Sequence, residues 1–94
     1  MATATWNGTV IAESNDVEEV EGNLYFPLSA VKPEHIAKSE HKTVCSWKGD
    51  CSYFDVVVGG EVNQNAAWVY TDPKPAAAKI KGRVAFWNGV KVTR

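Results

Sequence analysis

Turn-forming dipeptides recur so often along this chain that no regular element between them can be long. Trp6-Asn7-Gly8-Thr9 and Trp87-Asn88-Gly89-Val90 each set Asn-Gly between β-forming residues. A type I′ turn needs positive φ at two successive positions, which Asn and Gly tolerate best, so both segments are read as tight hairpins. Val58-Gly59-Gly60-Glu61 is a third such signal, joining Tyr53–Val58 to a stretch that ends at Tyr70. Punctuated in this way, the chain reads as strands near 2–6, 9–14, 17–21, 43–47, 51–58, 61–70, 83–87 and 90–93. Helix has little room. Leu28–Val31 and Pro33–Ala37 suit one turn each, Pro33 standing at a first helical position where its missing N–H costs nothing. Pro75–Lys81 suits two turns at most, with Thr71 and Asp72 as caps and Gly82 as a left-handed stop. Short strands with hairpin turns predict a small antiparallel barrel or sandwich, and the lack of βαβ alternation excludes a nucleotide-type crossover.

At 94 residues the chain has room for one core, and residues 1–94 are read as a single domain. Its apolar fraction of 45% and charged fraction of 22% are those of a globular protein. Four Trp, three Tyr and three Phe are many for this length, and large rings are one way for a small domain to gain burial without a disulfide or metal. No apolar run approaches the ~18 residues that span a bilayer, and Met1-Ala2-Thr3-Ala4 does not begin a leader, so a cytoplasmic, membrane-free protein is expected. A formal charge of −1 argues against specific DNA or RNA binding. Charge is unevenly placed: residues 1–40 hold seven acids and two bases, residues 41–94 four acids and eight bases. Two solvated faces are the expected outcome.

Reactive side chains concentrate in His41-Lys-Thr-Val-Cys45-Ser-Trp47-Lys48-Gly49-Asp50-Cys51-Ser-Tyr53. Zinc would need four ligands, and His-x3-Cys-x5-Cys leaves only His35 to complete the set, so no metal and no other cofactor is expected. A Lys48-Gly49 turn would bring Cys45 and Cys51 onto facing strands, where geometry permits a disulfide, although a reducing compartment favours free thiols. In an unbroken strand His41 and Cys45 share a face, so a nucleophilic Cys45 assisted by His41 or Lys48 is a further reading. Lys48 sits between Trp47 and Gly49, where a turn would carry its ammonium to the rim of an aromatic surface and let it anchor an anionic or polarised ligand group. Alternation places Trp68 and Tyr70 on one face with the small Ala66, which suits a cleft wall as well as ordinary core. Tyr25, ahead of Phe26-Pro27, is a secondary pocket candidate.

Tyr25-Phe26-Pro27, Cys45 with Trp47-Lys48-Gly49, Tyr53, Ala66-Ala67-Trp68 with Tyr70, Pro73 and Pro75, and Ile80-Lys81-Gly82 before Val84-Ala85-Phe86 follow one another in order. Together they resemble the domain-of-unknown-function 427 family over nearly the whole chain. The resemblance implies a mainly β, small antiparallel tent-like or barrel-like domain with one or two short helical turns, in which two small sheets meet around a cleft. It also implies a shared site at Tyr25, Cys45, Lys48, Tyr53, Trp68 and Tyr70. The two Cys-x-x-Cys pairs of zinc-binding relatives are missing here, as are the glycine-rich loop and carboxylate pair of nucleotidyl transfer. The leading expectation is a module that binds a small polar or anionic molecule in an aromatic-lined pocket. The alternatives are a small enzyme using Cys45 or Lys48, and a protein-interaction module; ligand identity and oligomeric state are left open.

Overall fold

The computed structural model describes residues 1–94. Nine strands form: β1 (Ala2–Trp6), β2 (Thr9–Ser14), β3 (Glu18–Val20), β4 (Asn23–Pro27), β5 (Ile36–Cys45), β6 (Gly49–Val58), β7 (Glu61–Val69), β8 (Arg83–Phe86) and β9 (Lys91–Thr93). They make a three-stranded sheet in the order β2-β1-β9 and a six-stranded sheet in the order β3-β4-β8-β7-β6-β5. Every pairing is antiparallel. The fold is mainly β as expected, but neither sheet closes on itself, which corrects the barrel-like alternative. No helix is long and apolar enough to cross a membrane.

The helical pieces are three 3-10 segments, Leu28–Ala30, Pro33–His35 and Pro75–Ile80. The last is broken at Ala77 (φ −116°, ψ 22°) and carries no side-chain cap, so Thr71 and Asp72 do not play the expected part. Two turn readings hold. Trp6 pairs with Thr9 across Asn7 and Gly8, and Val58 with Glu61 across Gly59 and Gly60. The second Trp-Asn-Gly adopts the expected conformation, with Asn88 at φ 55° and Gly89 at φ 93°, yet β8 and β9 do not pair. Its flanks are held elsewhere: the Trp87 amide donates to the Ala66 carbonyl at 2.9 Å, and the Asn63 side-chain amide donates to the Asn88 carbonyl at 2.7 Å. The turn is pinned against β7, and the chain crosses there from the large sheet to the small one.

Two strand readings are corrected. Asn23–Pro27, outside every expected strand, is β4; Pro27 lies beyond the reach of three-residue β3, so on that side its missing N–H deprives no partner. The strand expected near 43–47 begins at Ile36, because β5 is an edge strand whose outer residues are polar on both sides and show no apolar alternation.

Alternation gives the large sheet two buried faces. Phe26, Val56, Val69, Val84 and Phe86 point toward the small sheet, whose Ala2, Ala4, Ile11 and Ala12 complete the larger core. Phe26 meets Phe86 edge-on at 5.7 Å, and burying Phe26 alone contributes roughly 1.5–3 kcal/mol. On the other face Tyr25, Cys51, Tyr70 and Ala85 pack under Ala77 and Ile80 of the last 3-10 segment. Pairing between β6 and β7 shifts at Asp55, opposite Asn65, which sits at φ 56° with its N–H on the Asp55 carboxylate at 2.9 Å. That bulge sends both Ala66 and Ala67 into the larger core. Trp68 and Tyr70 therefore share a face, as expected, but Ala66 does not share it.

The charge asymmetry resolves into four ion pairs. Asp16 meets Arg83 at 3.1 Å, Glu18 meets Lys79 at 3.8 Å, Glu19 meets Arg94 at 3.1 Å, and Glu21 meets Lys48. Each joins the 16–21 segment to the basic half, so the two charged regions lie against each other rather than on separate faces. The exposed pairs contribute at most about 1 kcal/mol each.

Gly49, at φ 110°, lies under the 71–74 loop; an added Cβ would stand 3.5 Å from the Lys74 nitrogen and 3.7 Å from the Asp72 carbonyl. Gly49→Ala should cost about 1–3 kcal/mol in a urea titration, the range for a side chain forced into such a backbone. Gly59→Asn, at φ 58° with open space around it, should shift the midpoint far less.

Candidate functional site

Ser46-Trp47-Lys48 closes the β5–β6 hairpin, with Cys45 opposite Gly49. The 71–74 loop straps this turn: the Lys74 amide donates to the Lys48 carbonyl at 2.9 Å, and the Lys74 ammonium to the Ser46 carbonyl at 2.8 Å. With its backbone fixed, Lys48 runs across the second face of the sheet instead of into solvent. It is the one buried charged residue, 7% exposed. Its ammonium lies 5.4 Å from the ring centres of both Trp47 and Tyr70, positions suited to cation–π attraction.

A charge held there needs a counter-charge, and Glu21 supplies it. Glu21 occupies the first position of the β3–β4 turn at φ 55°, with Gly22 at φ 79°; a glutamate in this left-handed region is uncommon. The expected ammonium at an open rim is corrected to a buried and already paired one. Desolvation opposes the Lys48 charge most strongly, but the Glu21 hydrogen bond and neighbouring charge outweigh it and lift the pKa above the ordinary 10.5. The same hydrogen bond holds Glu21 below its ordinary 4.5. Both shifts favour the ionised pair. Its stabilisation is complete from about pH 4.5 to 10.5, fades as acid protonates Glu21, and fades as base deprotonates Lys48.

Beside this pair lies an open cleft of about 200 Å³ lined by Lys48, Tyr53, Trp68, Tyr70 and Trp87. Trp68 is held from behind by Tyr25, whose hydroxyl accepts its indole N–H at 3.1 Å and whose ring meets it edge-on at 6.2 Å. Trp87 meets Trp68 edge-on at 6.3 Å and donates its indole N–H to the Asn65 carbonyl at 2.6 Å. The Tyr53 hydroxyl lies 3.0 Å from that of Thr43, and the His41 ring leans on Tyr53 at 4.6 Å. Burial raises the pKa of Tyr25, Tyr53 and Tyr70, so their hydroxyls stay protonated at neutral pH. The cleft thus offers aromatic surface, phenol hydroxyls and one ammonium.

Of the six site residues named from the sequence, Lys48, Tyr53, Trp68 and Tyr70 line this cleft. Tyr25 is fully buried behind the Trp68 wall, and Cys45 lies outside the lining at the end of β5. Two participants escaped the sequence reading. Trp87 was absorbed into a turn signal. Glu21 lies in an acidic run, and only the Gly22 that follows it hinted at a turn.

Cys45 and Cys51 are free thiols. Cys51 faces Thr43 while Cys45 faces Gly49, a diagonal placement; diagonal neighbours stand about 7–8 Å apart, beyond disulfide reach without backbone movement. Cys51 is 1% exposed, whereas Cys45 is half-buried. Hydrogen bonding from the Lys48 backbone, then from that of Trp47, draws the Cys45 pKa below its ordinary value against the opposing effect of burial. Pairing of β5 is interrupted between Lys38 and Lys42, yet His41 leans on Tyr53, and Tyr53 and Cys45 pack against the same smaller core, so His41 and Cys45 lie on one side of the sheet. His35 engages the Val57 carbonyl at 2.9 Å, and no three His, Cys, Asp or Glu side chains gather where they would hold a metal.

Iodoacetamide should label Cys45 well ahead of Cys51, with a rate whose pH midpoint lies below the ~8.5 of a free cysteine. Equal labelling of the two thiols in the folded protein would contradict this geometry. The ion pair predicts an ordering as well. Glu21→Gln leaves a buried ammonium without its counter-charge, whereas Lys48→Met leaves a half-exposed carboxylate that water can solvate. Thermal melts should therefore show the larger loss for Glu21→Gln.

No curated protein matches the chain. A family model does, across residues 1–94, and it carries the description "Domain of unknown function (DUF427)". Its span takes in both sheets, the strap over Lys48 and every wall of the aromatic cleft. The chain belongs to the DUF427 family.

Proposed function

We propose that this domain binds a small polar molecule with a planar ring, held against Trp68, Tyr70 and Trp87 and oriented by Lys48. The observation that carries the reading is a buried ammonium meeting an open aromatic cleft, an apolar wall with one polar handle. Glu21 already provides a full counter-charge, so a hydrogen-bond-accepting group such as a carbonyl suits Lys48 better than a second anion. Of the bases near the C-terminus, Lys79 and Arg83 are paired with acids, which supports a partner other than nucleic acid. Two free thiols agree with a reducing, cytoplasmic setting.

A second reading is favoured by one observation. The half-buried Cys45 thiol, its pKa lowered by the Lys48 turn, suits covalent chemistry on a ligand carbonyl or other electrophile. The exposed Trp47 also leaves room for an interaction surface, but Trp87, the other exposed tryptophan, forms one edge of the cleft.

The test is a thermal-shift screen of ring-bearing metabolites followed by titration of tryptophan fluorescence, since a ligand that binds only the folded state raises the melting temperature. Lys48→Met should weaken a hit at least tenfold, about 1.4 kcal/mol, while protein with Cys45 alkylated keeps most of its affinity. A hit untouched by Lys48→Met would sink the reading. A hit lost on Cys45→Ser, with a covalent mass increase in the native protein, would establish the second reading instead.

A further inference from the structure

On the opposite face of the large sheet, β5 carries an irregularity that the aromatic cleft does not use. Lys38 pairs with Phe54 and Lys42 with Ser52, so the three residues 39–41 oppose Tyr53 alone. At about 3.3 Å per residue, an unbroken strand would hold the two lysines roughly 13 Å apart. The bulge sets them on neighbouring rows of one face, about 7 Å apart along the strand. Like charges on adjacent rows repel. Neither lysine is among the four ion pairs. The bulge is nevertheless held in place: the Ser39 hydroxyl donates to the Asn65 side-chain carbonyl at 2.5 Å and accepts the His41 amide at 3.1 Å.

The two lysines border a hollow of about 170 Å³ whose other walls include Ser52, Thr71 and Val69. The Lys42 ammonium donates to the Ser52 hydroxyl at 3.2 Å, which holds it over the hollow. No carboxylate lines the hollow; Glu40 in the bulge and Asp72 next to Thr71 are exposed and lie outside it. Lys38 and Phe54 are shared with a second hollow of about 420 Å³, walled by Leu28, Val31, Pro33 and Ile36 and likewise free of carboxylates. Paired cations beside hydroxyls thus open directly onto an apolar groove.

We propose that this face binds a single-chain amphiphile with an anionic head. The head lies between Lys38 and Lys42, where it removes their repulsion and takes hydrogen bonds from Ser52 and Thr71. The apolar chain lies along Leu28, Ile36 and Phe54. Tyr53 borders both this hollow and the aromatic cleft, whereas Lys48 and the tryptophans border the cleft alone, so substitutions at Lys48 and at the Lys38–Lys42 pair separate the two proposals.

The experiment titrates octyl phosphate into the ¹⁵N-labelled full chain and follows amide shifts. Saturable shifts are expected at Lys38, Lys42 and Thr71 together with Leu28 and Ile36. The exposed double variant Lys38→Gln/Lys42→Gln should keep its melting temperature and bind at least tenfold more weakly. Inorganic phosphate binding as tightly as octyl phosphate would overturn the apolar half of the site, and octyl glucoside binding as tightly would overturn the anionic half. Saturable shifts confined to the aromatic cleft, or none up to about 1 mM ligand, a bound near 4 kcal/mol of affinity, would overturn the proposal.

Discussion

An ammonium group buried against two aromatic rings is tolerated only with a counter-ion in reach, and much of this fold serves to bring one there. Lys48 arrives from a hairpin strapped by the 71–74 loop, and Glu21 from a turn that holds a glutamate at positive φ. β3 is only three residues long, yet its β4 neighbour is central enough to carry that turn to the Lys48 side of the sheet. The remaining acids of the 16–21 segment bind Arg83, Lys79 and Arg94 along the same border. These exposed pairs add little energy individually. Their common direction keeps the short β3–β4 hairpin seated so that Glu21 can reach the buried Lys48 ammonium.

Much of the strand pattern was legible because it rests on local chemistry. Gly59-Gly60 and Asn7-Gly8 announce turns that their own backbones require, and the alternation of Trp68 with Tyr70 needs no partner to be read. What could not be read depends on residues far apart in the chain. The Trp87-Asn88-Gly89 turn has the local geometry of a hairpin, but bonds tying Trp87 and Asn88 to distant β7 residues pin it while β9 pairs with β1. Ala66 followed alternation on paper, but the bulge at Asn65 turned it into the larger core. For the candidate site the same division holds. Lys48, Tyr53, Trp68 and Tyr70 stood out by residue type and spacing, while Glu21 acquires its role only when an acidic turn 27 residues away reaches Lys48.

The two bulges of the large sheet are bonded to each other. Asn65 receives the Ser39 hydroxyl on its side chain and gives its own N–H to Asp55, so one asparagine ties the irregular part of β5 to that of β7 across β6. It also lends its carbonyl to Trp87. A single left-handed residue therefore supports the outer wall of the aromatic cleft on one face and the Lys38–Lys42 spacing on the other. Bulges re-aim side chains at the expense of ladder hydrogen bonds, and here side chains supply bonds at the interruption.

In the small sheet, β1 lies between β2 and β9, and Thr3 pairs with Thr93. The β1–β2 hairpin and the β5–β6–β7 meander need only neighbouring segments, so they can form while later residues are still being synthesised. The third strand of the small sheet must wait for the far end of the chain. Long-range closure of this kind slows folding relative to local pairing. Until it occurs, the Ala4 and Ile11 side of the larger core lacks its full cover.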